Sequence, residues 1–443
     1  MREVVTVFEG GRIDLPPGHR GQRARNLLLN IKVGGKNAFS LRNGALYAKD
    51  FVGAADVGDA RVEVLPKPYG VSSVPQARQL LFDVLRRVGS EISFKWLQGG
   101  SASIDADLLD VVERRVSRDL LRRLEIGAPR RYEEAHERSS VLRGRILFSK
   151  YIRQLPSEAH VLPIQHSPLM ADNSLGQLLK ALGVRLLDRV RSYESRRDLD
   201  RCLDLLSSVK NCPLTPELVA KVHLRPMEAE WREFVDFAKL LALGKSSDPT
   251  SAGETSQATL LFPMNRLFEV AVRNALASTM GEPIECLRVP GEHCLLSSSS
   301  SDGSRDDALS IRPDLLFRRG ELVVAAGDAK WKRLSDTPPR YSVLPADIYQ
   351  LLAYMRHFGT PRGVLLYPRA EWMGANWQAS FEVEPQKDEQ ITIVSVDLAQ
   401  LMVSSDRARK AAAQALATRV QAALHDESSK ALDSHAGLVR QAV

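Results

Sequence analysis

Cysteine is scarce in this chain, with four in 443 residues. Cys202, Cys212, Cys286 and Cys294 contain no C-x-x-C pair, so neither a paired-cysteine zinc module nor a disulfide framework is indicated. No apolar run approaches the ~20 residues needed to cross a bilayer. The N-terminus, MREVVTVFEGGRIDL, alternates and carries acids, the pattern of a strand and not of a secretory signal. A reducing cytoplasm and no membrane partner are therefore expected. The chain also lacks a G-x-x-x-x-G-K-[ST] loop. Its nearest run, VGGKNAF, misses the first glycine and the hydroxyl residue that binds Mg²⁺, so a phosphate loop of that type is not indicated. There is no G-x-S-x-G elbow and no H-E-x-x-H helix. His166, His223 and His293 stand alone in their segments.

Hydrophobic residues make up 44% and charged residues 26%, which indicates a folded globular protein and excludes disorder. At this length two or three domains are expected. The formal charge of +7 attracts polyanions weakly unless it is concentrated. Arginines cluster between residues 114 and 153 and again from Arg185 to Arg201. Two readings follow: a solvated helix face paired with Glu113, Asp119 and Glu125, or a surface that tracks phosphates.

Strands are expected at Val4–Phe8, Leu27–Val33, Ala38–Arg42, Ala45–Phe51 and Arg61–Pro66, separated by Gly and Asp turns. Amphipathic helices are expected over 75–88 and 106–125, and mainly helix over 131–243, with examples at Asn173–Tyr193 and Ala229–Leu243. The composition of GKSSDPTSAGETSQA, residues 244–258, is that of a linker. Beyond it come a helix Met264–Thr279, a strand near Ile284–Pro290 and a Ser-rich loop. Strands Arg312–Arg318 and Glu321–Lys330, helix Ala346–Phe358 and strands Gly363–Tyr367 and Gln390–Asp397 complete the order. The expected class is multidomain α+β. It has a β-rich module with helices over 1–130, a helical middle over 131–243 and an α/β core over 259–400. A peripheral helix and tail over 401–443 would fray from about His425.

Chemistry concentrates in RPDLLFRRGELVVAAGDAKWKR. Asp328 and Lys330 share one face of a strand because side chains alternate. A D-x-K triplet alone arises by chance about once or twice in a chain this long. This one ends an apolar strand and follows a Pro-Asp on the preceding strand. Two carboxylates on a common face suit Mg²⁺, and a nearby lysine can orient water or steady a phosphate. The common face depends on the turn. A two-residue turn at Arg319-Gly320 would oppose Asp314 to Ala325 on the wrong face. A three-residue loop opposes it to Ala326, and that loop, or a bulge with the same effect, is expected.

Pro313-Asp314 and Asp328-Ala329-Lys330, with the order of elements around them, resemble the PD-(D/E)xK nuclease superfamily. Glu269 in RLFEVAV stands where that superfamily's first helix often adds an acid. Tyr349-Gln350 fits its glutamine-bearing helix. A closer resemblance covers about residues 60 to 368. RVEVLPKPYG, YEEAHERSSVLRGRILFSKYI, LLFPMNRLFEVAV, RPDLLFRRG, GDAKWK and ADIYQLLAY, in this order, are similar to McrC. That is the nuclease subunit of McrBC-type, modification-dependent (type IV) restriction systems. The loop Leu295–Ala308 and the tail after Asp406 depart from it. The resemblance implies a DNA endonuclease in which Asp314, Asp328, the Ala329 carbonyl and Glu269 serve a Mg²⁺ site. Lys330 would act on water or phosphate, and Gln350 would support the site. It also implies an AAA+ GTPase partner similar to McrB that binds the GTP, reads modified double-stranded DNA and docks on the N-terminal module. A different class stays open, a non-cleaving activator or DNA clamp for that NTPase. Unpartnered repair nucleases would share the site but not the upstream module. Arg143 and Arg145, flanking Gly144, have three open roles: DNA phosphate, partner ring or domain junction.

Overall fold

The computed structural model describes residues 3–33, 35–58, 60–68, 70–88, 107–158, 160–243, 258–287, 293–299, 305–383 and 388–424. Its fold is mixed α/β. The chain opens with strand β1 (Glu3–Phe8) and helix α1 (His19–Leu29), followed by strands β2 (Phe51–Asp56) and β3 (Ala60–Leu65). Helices α2 (Val74–Val88), α3 (Leu108–Ile126), α4 (Ser174–Leu187), α5 (Tyr193–Leu205) and α6 (Arg232–Leu243) come next. Strand β4 (Ala258–Pro263) then leads into helix α7 (Met264–Thr279). The remainder comprises β5 (Glu285–Leu287), β6 (Leu315–Arg319), β7 (Leu322–Ala329), α8 (Pro345–Phe358), β8 (Arg362–Pro368), β9 (Gln378–Glu382), β10 (Gln390–Val396) and α9 (Asp406–Leu424).

Two sheets carry the architecture. The first runs β1-β3-β2-β4 and the second β5-β6-β7-β8-β10-β9. In the second, β7, β8 and β10 are parallel, as the intervening α8 crossover requires, and the outer pairs are antiparallel. The helices expected over 75–88 and 106–125 are present as α2 and α3. Leu109, Val112, Val116, Leu120 and Leu124 of α3 are buried at three- and four-residue spacing, which is why that face packs inward.

Several segments differ from expectation. Leu27–Val33 is the end of α1 and a short strand Lys32–Val33. Gly21, Ala24 and Leu28 are buried along one helical face, and the Leu27–Leu29 run belongs to that period. Residues 131–170 are not mainly helical. A small sheet orders strands Ala135–Ser139, Leu162–His166 and Arg145–Ile146, beside a one-turn helix Phe148–Tyr151. The helix expected over Asn173–Tyr193 is two helices. Asn173 caps α4 by accepting from Leu175 and Gly176 N–H, and Ser192 caps α5. The segment Leu295–Ala308 is not a loop where it is described, because His293–Ser299 pairs with Arg305–Ile311. Strand β9 was not foreseen. The helix α9 is not peripheral: Leu416, Ala417 and Val420 are buried in the main core. Residues 244–257 of the expected linker, and the stretch from His425, lie outside the described residues.

Strand β4 adds to the first sheet by pairing with β2. The core cluster runs without a break from α2 and α3 through α7 to β6, β8 and α9. The α7 helix, entered directly from β4, thus joins the two sheets and fixes the cleft between them.

Candidate active site

The β6–β7 hairpin sets the site. Its turn is the two-residue Gly320-Glu321, with Gly320 at φ 58°, a left-handed position that glycine takes without strain. From Arg319↔Leu322 and Arg318↔Val323 the pairing steps to Phe317↔Ala325, so Val324 is a bulge. Leu315 then opposes Gly327. One step further along this register Asp314 opposes Asp328, two residues beyond the partner expected for it. The face is nevertheless common, because the bulge absorbs the odd residue.

Asp328 is 2% exposed. Its carboxylate pairs with the Lys330 ammonium. Asp314 Oδ2 accepts the Ala329 N–H at 2.9 Å. Burial, helped by the charges of Asp328 and Glu269, pushes the Asp314 carboxyl up to about 8. Burial also raises Asp328, against the pull of Lys330. A buried and a half-buried carboxyl that resist ionisation on one face form a site that a cation would relieve.

Helix α8 braces the lysine. Lys330 Nζ donates to Gln350 Oε1 at 2.7 Å, Gln350 Nε2 donates to Tyr354 Oη at 2.6 Å, and Tyr354 Oη donates to the Arg312 carbonyl at 3.2 Å. One turn earlier, Asp347 accepts from Lys332 Nζ at 2.8 and 2.9 Å and from Tyr367 Oη at 2.9 Å. Asp347, Gln350 and Tyr354 recur at three- and four-residue intervals and thus lie on one helix face. Tyr354 was missed by sequence reasoning, although its position four residues after Gln350 carried the signal. Tyr349 is exposed and takes no part.

Glu269 lines the same cleft and its charge acts on Asp314. Its carboxylate is bonded to Arg266 and, at 3.1 Å, to Arg273. No group of three or more His, Cys, Asp or Glu side chains able to hold a metal occurs among the described residues. Metal-holding capacity therefore rests on the aspartate pair and the adjacent backbone. Asp314, Asp328, Lys330, Gln350 and Glu269 all line one cleft of about 1250 Å³.

Its opposite wall comes from the first sheet, which sequence reasoning did not foresee. Glu9, just beyond β1, accepts the Trp331 indole N–H at 2.8 Å and the Lys67 N–H at 3.1 Å. Burial pushes its carboxyl up to about 6. Trp331 in turn packs on Phe268, ring centroids 5.2 Å apart. Nothing local in the sequence links Glu9 to Trp331. Arg143 and Arg145 do not line this cleft; they are exposed on the small sheet over 135–166. No helix among the described residues is long and apolar enough to cross a membrane.

The model of the family described as "McrBC 5-methylcytosine restriction system component" matches residues 46–368. A search of curated proteins finds no match. Among solved structures, the chain is similar to one from a refined half-complex of the tetradecameric assembly of Thermococcus gammatolerans McrB AAA+ hexamers with bound McrC. That likeness has a TM-score of 0.69 at 19% identity and covers 94% of this chain and 99% of that one. A chain of the cryo-EM structure of the Thermococcus gammatolerans McrBC complex matches at TM-score 0.47 and 20% identity, over 60% of this chain and 85% of that one. The first of these shares the fold.

Proposed function

This chain belongs to the McrBC 5-methylcytosine restriction system component family, and from that premise we propose that it is a Mg²⁺-dependent DNA endonuclease of PD-(D/E)xK type, working with an AAA+ GTPase. The observation that carries the reading is the meeting of Asp314, Asp328 and Lys330 at the end of β7, inside a cleft. A clamp that only bound DNA would have no use for two adjacent carboxyls held against ionisation.

Mg²⁺ suits hard oxygen donors, and the two aspartates with the Ala329 carbonyl would hold it. When bound, such an ion neutralises charge at the scissile phosphate and makes a bound water more acidic. Lys330, held between Asp328 and Gln350, faces the phosphate. Its ammonium orients the attacking water and stabilises the charge that builds on the phosphoryl oxygens as one P–O bond forms and another breaks. Gln350, fixed by Tyr354, keeps the lysine aimed. Glu269, its Oε1 paired with Arg266 and Arg273, lines the cleft beside the aspartates and would extend the acidic shell of the metal site.

The partner reading rests on the family and on the similar structure of McrB AAA+ hexamers with bound McrC. Val141, Leu142, Phe148, Ile152 and Leu155 are all more than half exposed around the small sheet. Such an apolar group on a projecting element supports docking to another protein. The GTP would be bound by that partner.

Plasmid cleavage with Mg²⁺, GTP and the AAA+ partner tests the reading on methylated and unmethylated DNA. Asp328→Ala and Lys330→Ala should each lower cutting by roughly 10²–10³, with stimulation of the partner's GTPase retained. Equal cutting by all three proteins removes the site. GTPase stimulation without any cutting by the wild type would establish an activating subunit instead.

A further inference from the structure

Of the two readings of the arginine clusters, the structure favours the paired face over a surface that tracks phosphates. Much of the charge in the arginine-rich segments is ion-paired. Arg115 pairs with Asp119, Arg123 with Glu230, Arg131 with Glu228, Arg189 with Glu113 and Arg201 with Glu125. None of these arginines lines the cleft.

The lysines of the N-terminal module behave differently. Lys36 and Lys67 line the catalytic cleft on the wall facing β7. Lys32, Lys36 and Lys49 line an adjoining hollow of about 420 Å³ that shares Lys36, Asp50 and Phe51 with the cleft. Lys32, Lys36 and Lys67 are exposed and Lys49 is half-buried. Asp50 is the one carboxylate of the smaller hollow. Among the described residues none of the four lysines has an ion-pair partner.

Their backbone is anchored, so the charges are held in place. Lys32 and Lys36 stand on a two-stranded hairpin, with Lys32 opposite Asn37. Lys49 N–H bonds the Ala38 carbonyl at 2.9 Å, tying it to the same hairpin. Lys67 N–H bonds Glu9, and Glu9 bonds Trp331, the residue after Lys330. The Lys67 backbone is therefore two hydrogen bonds from Trp331, which follows the candidate catalytic lysine in the chain.

We propose that Lys32, Lys36, Lys49 and Lys67 form a phosphate-binding track by which the N-terminal module holds the DNA duplex while the β7 face cuts it. The proposal rests on the endonuclease reading above and adds to it the second wall of the substrate site. Duplex DNA carries one negative charge per about 1.7 Å of axis, so a row of unpaired ammonium groups leading out of the cleft matches it in sign and continuity. Lysine serves such contacts as a compact point charge without base selectivity. That suits a subunit whose cutting position is set elsewhere.

Binding of a fluorescent 30-base-pair duplex by the full-length chain with its AAA+ partner tests this. Ca²⁺ replaces Mg²⁺ to prevent cutting, and salt is varied from 50 to 200 mM. The Lys32→Gln/Lys36→Gln/Lys49→Gln/Lys67→Gln variant should bind at least tenfold more weakly. Its log K against log salt slope should flatten by roughly 3 to 4, about 0.9 for each phosphate left without its lysine. A charge-matched control, Arg118→Gln/Arg122→Gln/Arg197→Gln/Arg201→Gln, should change little. Circular dichroism melts check folding, and Lys36→Gln/Lys67→Gln provides a milder variant with an expected slope change of about 2. Wild-type binding and slope in both lysine variants overturns the proposal while leaving the nuclease reading intact. Retained DNA binding with lost GTPase stimulation also overturns it, and assigns the track to an acidic surface of the partner. A wild-type complex that neither binds nor cuts DNA with Mg²⁺ removes the endonuclease reading, and the track with it.

Discussion

Two carboxylates set opposite each other on neighbouring strands, under cover of a helix, repel one another and lose hydration. Asp314 accordingly holds its proton up to about pH 8. The unfolded chain releases that proton near pH 4, so between these values the fold binds a proton that the unfolded state does not. Stability of the metal-free protein should therefore fall as pH rises across that window and level off above it. Asp314→Asn removes the group. Urea unfolding in EDTA at pH 7 should show the variant more stable by on the order of 2 kcal/mol, with a flatter pH profile and no DNA cleavage. An unchanged profile would mean that Asp314 does not carry the proton.

At the scale of elements, the site depends on how α8 lies across β7 and β8. Gly363 of β8 lies beneath it. A Cβ there would stand 2.6 Å from Met355 Sδ and 2.8 Å from Leu351 Cδ2, both on α8. Gly363→Ala should cost about 1–3 kcal/mol by overpacking and push away the helix that carries Gln350. Cleavage should fall along with stability. Cleavage that is unaffected by Gly363→Ala would separate the helix position from the chemistry. The Val324 bulge belongs to the same scale, since it reconciles a two-residue turn with a common face for Asp314 and Asp328.

Across the whole molecule, the first sheet is joined to the helices by a buried charge network. Arg61, fully buried on β3, bonds Asp110 at 2.7 Å, Asp107 at 3.1 Å and Asp56 at 3.2 Å, and pairs with Glu113 at 3.6 Å. Arg189 adds a second cation to Glu113 and Asp56. Removing one member strands buried carboxylates with too little positive charge. Arg61→Ala should cost roughly 3–5 kcal/mol in urea unfolding, whereas the exposed Arg122→Ala should change stability by less than about 1 kcal/mol. Similar losses for both would mean that the network does not hold the sheet to α3 and α4. Because β4 and α7 link that sheet to the catalytic one, loosening the network should also open the cleft.

Local sequence pattern determined α2, α3, α7 and α8, because the helical period of buried residues is written into each segment, and the parallel strands, whose continuous apolar runs are bounded by turn residues. It also determined that Asp328 and Lys330 share a face, since strand alternation needs no distant partner. The Leu27–Leu29 run, the strands over 131–170 and the hairpin containing the serines were not legible. A short apolar run has no period, and a polar strand is recognised only by the strand it pairs with. Tertiary structure alone decided the rest. It placed Glu9 against Trp331 across most of the chain, and ion-paired much of the charge in the arginine-rich segments. It also brought four N-terminal lysines to the mouth of the cleft. Apart from local pairs such as Arg115–Asp119, these are contacts between segments far apart in sequence, fixed by which faces could be buried together.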